Sequence, residues 1–266
     1  MKADLVIRGG TIVDGTGLPG YVADIAVRGG RKYGVFPLGN VIAQVPSYLA
    51  FRALLPLRAL PREPLYALTS HLSPAALMAA ACVLLYKLCR RRGASQRLSL
   101  GLALGCGFST LCLGYARVAY SEALQTAALL LLVERTLEAG DRLGPRVMAG
   151  LGLAAGALFS AKLVYALVLP LPAAYLLYEH RRRRTPLAAQ AAGAAVALAA
   201  FAPFFALALW HNHLKTGSLL DTGYRIPGGV FSGDLLPGLY GFTLSTGKSV
   251  FLYSPPLILT LYGLRT

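Results

Sequence analysis

From Pro186 to Trp210 the chain runs PLAAQAAGAAVALAAFAPFFALALW, 25 residues without a charge. As an α-helix rising about 1.5 Å per residue, that run exceeds the roughly 30 Å hydrocarbon core of a bilayer. It has almost no polar face to turn toward water. Further uncharged or nearly uncharged runs, rich in Ala and Leu, occupy residues 72–89, 98–116 and 119–138. The composition agrees: 56% of the 266 residues are hydrophobic and only 14% are charged, a membrane-protein balance. The expected fold is therefore an all-α polytopic membrane protein of about six to eight transmembrane or interfacial helices, headed by a short β-hairpin.

The net charge of +15 admits nucleic acid, an anionic surface or topology signals as its reason. Position selects the third. Eleven basic residues fall in three short stretches between apolar runs: Arg90, Arg91, Arg92 and Arg97; Arg135, Arg142 and Arg146; Arg181 to Arg184. That is the positive-inside pattern and not a nucleic-acid-binding face.

Charge parity then organises residues 147–179, which are too long for one crossing and barely long enough for two. With Arg135–Arg146 and Arg181–Arg184 both cytoplasmic, the segment crosses twice and turns near Ser160-Ala161-Lys162 on the far side. The same parity puts Tyr115–Glu122 outside and sends the 186–210 helix out into a long polar loop, 211–248. A last apolar run, Ser249–Leu264, has barely enough residues to span, so the chain reads as incomplete at its C-terminus. Residues 36–60 fit either a kinked span, because of Pro46 and Pro56, or an interfacial amphipathic helix, because of Arg52 and Arg58.

The first 31 residues differ from the rest. DLVIR, TIVD and VADIAVR alternate like strands, separated by Gly9-Gly10 and GTGLPG. Their charges leave no uninterrupted apolar core for a signal peptide. The expected division is a hairpin over 1–31 and a helical membrane region over 32–266.

Several local patterns bear on chemistry. His211-Asn212-His213 has metal-site spacing for a strand, but on a helix i and i+2 point nearly opposite ways, so interfacial histidines and no metal are expected. STGKS (Ser245–Ser249) lacks the glycine a phosphate-binding loop needs, since Phe242 stands there. The four cysteines lie in apolar runs without C-x-x-C spacing and read as packing residues. Arg117 and Glu122, in a very short external turn, either pair and reach the interface or line a polar cavity. Lys162 lies in the other external turn and Lys248 near the water interface, where either cation could meet a phosphate.

DLVIRGGTIVDGTGLPGYVADIAVRGG closely resembles the first residues of N-acyl-D-amino-acid deacylases of the amidohydrolase superfamily, where they belong to a small β-domain beside a metal-dependent barrel. From GGRKYGVFPLGNVIAQVPSYLAFRAL onward the chain resembles polytopic GT-C glycosyltransferases that use a lipid-phosphate-linked sugar. YARVAYSEALQT, GLGLAAGALFSAKLVYALVLPLPAAYLL, HNHLKTGSLLDTGY and GLYGFTLSTGKSVFLYSPPLIL carry that similarity. The second resemblance implies a bacterial inner-membrane protein, transfer of sugar from a polyprenyl-phosphate donor at the outer face, and membrane lipids and the lipid-linked sugar as partners. Under it, Arg117, Lys162 and Lys248 hold the phosphate and Glu122 orients them. In such enzymes the catalytic base is usually an Asp in the first external loop; deacylase-like sequence stands in that place here, so no catalytic residue is assigned and impaired transfer is expected. Two rivals remain open: a metal-dependent deacylase, resting on the N-terminus alone, and a non-enzymatic multi-pass membrane protein or transporter.

Overall fold

The computed structural model describes residues 5–12, 21–28, 31–34, 38–54, 62–222, 234–247 and 249–258. At the N-terminus, β1 (Leu5–Ile12), β2 (Tyr21–Arg28) and β3 (Arg31–Gly34) form an antiparallel sheet in that order. The β1–β2 register shifts between Ile7 and Gly10, where the Gly9-Gly10 pair relaxes the backbone into a bulge. β3 pairs with β2 over Arg31–Gly34, so the strand pairing extends past the expected boundary at residue 31.

The other described residues are mainly helical: α1 (Gly39–Leu54), α2 (Arg62–Arg91), α3 (Gln96–Phe108), α4 (Leu111–Tyr115), α5 (Glu122–Asp141), α6 (Pro145–Ala161), α7 (Pro170–Arg182), α8 (Leu187–Thr216), α9 (Leu235–Thr243) and α10 (Val250–Tyr253). A tight 3₁₀ turn, Leu163–Leu167, leads into α7. Among the described residues three segments are long and apolar enough to cross a membrane: Ser70–Arg91, Leu163–Arg182 and Leu187–Thr216. No residue in the most apolar part of α8 is fully buried: a half-buried stripe that includes Ala197, Phe201 and Phe204 lies on the side of α6, and the rest of the helix faces outward as a lipid-exposed helix does.

The structure departs from the sequence reading in three places. The expected 98–116 span is two helices, because Thr110 takes an extended backbone and its Oγ1 accepts from the Cys112 amide at 3.1 Å, starting α4 anew. The expected 119–138 span begins only at Glu122 and carries Glu134, Arg135, Glu138 and Asp141 in its last two turns, so α5 is the enclosed centre of the bundle and not one of the three membrane-long apolar helices. The 211–248 segment is not all loop, since α8 continues to Thr216 and α9 follows. Residues 36–60, for which the sequence leaves a kinked span and an interfacial helix open, include α1, 16 residues and about 24 Å of helix at 1.5 Å per residue; residues 36, 37 and 55–60 lie outside the described ones.

The core is built on α5, α6 and α7. Ala128, Leu132, Ala139, Val147, Met148, Leu151, Ala154, Leu158 and Leu176 form one buried cluster. α6 closes on α8 through Gly152 and Gly156, one turn apart on the same face. A Cβ at Gly152 would lie 2.1 Å from the Ala197 carbonyl oxygen, and one at Gly156 2.2 Å from the Phe204 ring. Small residues at this spacing permit the close backbone approach that membrane helices use in place of hydrophobic collapse. Beside them Phe159 meets Phe201 edge-on, with centroids 5.5 Å apart.

Candidate functional site

The bundle has two chemically different ends. At one, Asp141 at the close of α5 accepts hydrogen bonds from Arg91 of α2 and from Arg183 just past α7. Glu138 pairs with Arg135 and Arg142, and Glu179 with Arg183. These contacts gather residues from all three basic stretches at one end. Partial burial opposes ionisation of Asp141, but the hydrogen bonds from Arg183 and Arg91 prevail and hold its carboxyl below the usual range.

The other end is built from turns. Asn40, in the first turn of α1, donates from Nδ2 to the Ala119 carbonyl at 2.7 Å. His71 Nδ1 lies 2.9 Å from the Arg117 carbonyl, so it is the protonated ring nitrogen there. Gly39 packs so tightly on the end of α6 that a Cβ would sit 2.4 Å from the Ser160 carbonyl. Gly39 and Asn40 thus join the 116–121 turn to the 160–162 turn; a side chain at 39 would part them. Lys162 itself is extended, and it separates α6 from the 3₁₀ turn.

Arg117 and Lys162 are exposed on these two joined turns and Glu122 is half-buried. Among the described residues no ion pair joins any of the three, so the pairing of Glu122 with Arg117, one of the two arrangements the sequence leaves open, does not form. Glu122 instead lies within electrostatic reach of Tyr165, whose hydroxyl donates to Gln125 Oε1 at 2.9 Å. Gln125, buried, passes the chain of bonds to Ser121 Oγ at 2.7 Å. Lys248 lies outside the described residues.

A second polar group at this end is not anticipated by the sequence reading. His211, Asn212 and Lys215 are buried at the end of α8, against Ser160, Leu163 and Thr222. Lys215 Nζ donates to the Thr222 carbonyl at 3.0 Å, and Asn212 Nδ2 to the Leu219 carbonyl at 3.2 Å. The i, i+4 spacing of His211 and Lys215, which places both on one helix face, is the signal that could have found them. His213 points away and is exposed, as the i, i+2 geometry requires. Among the described residues no cluster of His, Cys, Asp or Glu could hold a metal ion.

Among the described residues, three membrane-long apolar segments, an α8 with one side turned outward and polar groups at the two ends give the chain the build of a helical membrane protein. No protein-family model, curated protein or solved structure matches it.

Proposed function

We propose that this chain is a GT-C-like membrane protein that binds a polyprenyl-phosphate-linked sugar at the end of the bundle opposite the arginine clusters, in a bacterial inner membrane. The observation that carries the reading is the placement of two exposed cations, Arg117 and Lys162, on turns held together by Gly39 and Asn40. Two fixed positive charges at a membrane–water boundary suit a phosphate group whose polyprenyl tail stays in the lipid. Glu122 and the Gln125–Tyr165 pair, its Gln125 buried and its Tyr165 half-buried, supply hydrogen-bonding groups beside them, of the kind that bind sugar hydroxyls. Lys248 joins the phosphate side on sequence grounds alone. No Asp is assigned as a catalytic base, so the reading commits to binding of the carrier and not to transfer.

The test is binding of radiolabelled polyprenyl-phosphate hexose to the protein in nanodiscs. Saturable binding that weakens at least fivefold in both Arg117→Ala and Lys162→Ala supports the site. Saturable binding that both variants retain places the carrier elsewhere, and no saturable binding favours a membrane protein that does not use a lipid-linked sugar.

A further inference from the structure

A cleft of about 440 Å³ opens between α6, α7 and α8, floored by Leu132 of α5. Its walls are apolar: Met148, Leu151, Ala173, Ala194, Ala197 and Phe201 among others. It runs along α8 from Gln190 to Phe201, about 16 Å at 1.5 Å per residue. That is about half of a roughly 30 Å hydrocarbon core, the depth of one leaflet.

The end nearest the α7–α8 turn is polar. His180 is 5% exposed and lines the cleft, and its Nε2 has no hydrogen-bond partner. Its other ring nitrogen is 3.5 Å from Thr185 Oγ1, a long contact. A buried imidazole nitrogen left without a partner loses the hydrogen bond it would make to water, so a ligand atom that supplies one binds with that gain. Beyond His180 stand Arg181 to Arg184, all exposed. Arg182 and Arg183 are engaged by Glu179 and Asp141, whereas Arg181 and Arg184 form no ion pair among the described residues.

We infer that this cleft holds one acyl chain of an anionic glycerophospholipid from the leaflet that the arginine clusters face, with its headgroup between His180 Nε2 and the free guanidinium groups of Arg181 and Arg184. The apolar walls and leaflet depth select an acyl chain, since α7 and α8 belong to membrane-long segments and the cleft meets lipid rather than water. The two uncommitted arginines select a negative headgroup over a zwitterionic one. The site lies at the end of the bundle opposite Arg117 and Lys162 and is independent of any carrier sugar there.

Native mass spectrometry of the purified protein, titrated with phosphatidylglycerol or phosphatidylcholine of identical chains, tests the inference. The expected result is one bound phosphatidylglycerol, retained at least fivefold better than phosphatidylcholine. The preference falls to parity in the Arg181→Gln, Arg184→Gln double variant, and His180→Leu weakens retention. Ala194→Trp, which fills the cleft from α8, and Ala173→Trp, which fills it from α7, both lose the lipid; whichever elutes from gel filtration as the parent does is scored. Equal retention of the two lipids by the parent protein, or full retention by a folded cleft-filling variant, overturns it.

Discussion

Asp141 and Arg183 stand 42 positions apart in the chain and 2.8 Å apart in space, the guanidinium donating to the carboxylate, while Arg91 binds the other carboxylate oxygen. One acidic side chain therefore ties the ends of three helices where positive charges would otherwise crowd. Each of these pairs is substantially exposed, and exposed pairs contribute only about 0.2–1 kcal/mol.

Replacing the carboxylate tests that estimate. Asp141→Asn should lower stability by about 1 kcal/mol in low salt and by less in about 0.5 M salt, where screening is stronger. Thermal unfolding in detergent measures it. The pH dependence follows from the depressed pKa of Asp141: its stabilisation is complete above the unfolded value of about 3.9 and disappears as pH falls through the lower folded value. The variant should lack this acid limb.

The α6–α8 contact predicts unequal costs at two glycines. Gly152→Ala sets a methyl group against backbone, the Ala197 carbonyl, whereas Gly156→Ala meets the Phe204 ring, which can rotate aside. Overpacking of this kind costs about 1–3 kcal/mol, with Gly152→Ala at the upper end and Gly156→Ala at the lower. Melting temperatures in the reverse order would contradict the close approach at Gly152.

Tyr165→Phe removes the donor to a buried amide oxygen of Gln125. A buried acceptor left unpaired costs about 1–3 kcal/mol. Combining Tyr165→Phe with Gln125→Leu should cost less than the two single changes summed, because no orphaned oxygen remains. Chemical unfolding of the three variants gives the coupling, and strict additivity would mean that the bond contributes nothing.

Accessibility reports the two ends directly. In a background with the four native cysteines replaced, Arg117→Cys and Lys162→Cys should react with a membrane-impermeant maleimide applied to intact cells. Arg92→Cys should react only after lysis. Labelling of positions 117 and 162 from opposite sides would separate the two turns that Gly39 and Asn40 join.

Much of the layout is legible in residue order because the bilayer is a one-dimensional constraint on length and charge. The uncharged run over 186–210 must be a long apolar helix whatever its neighbours do, and α8 contains all of it after Pro186, which caps the helix start. Charge parity asks for a break near Ser160-Ala161-Lys162, and α6 ends at Ala161. Hydropathy does not register a hydroxyl that caps a helix, so the Thr110 break inside 98–116 escapes it. Composition also cannot tell a helix enclosed by protein from one enclosed by lipid, since both are apolar; α5, with Leu132 and Ala139 buried and charges in its last turns, is the enclosed kind.

The candidate groups divide along the same line. Arg117, Glu122 and Lys162 stand out in the sequence because ionisable groups in short turns between apolar runs are costly and therefore conspicuous. Which of them meet is a matter of distance, and distance came from the packing. Asn40, whose side chain bonds a turn 79 positions away, carries no mark in its own neighbourhood, and the buried face of His211 and Lys215 leaves only their i, i+4 spacing. Local chemistry thus determined where the helices run and which end is basic. Only the tertiary structure decided that Gly39 and Asn40 join two turns, that Asp141 gathers three helix ends, and that α6, α7 and α8 leave a leaflet-deep cleft between them, because each depends on side chains far apart in the chain reaching the same few ångströms of space.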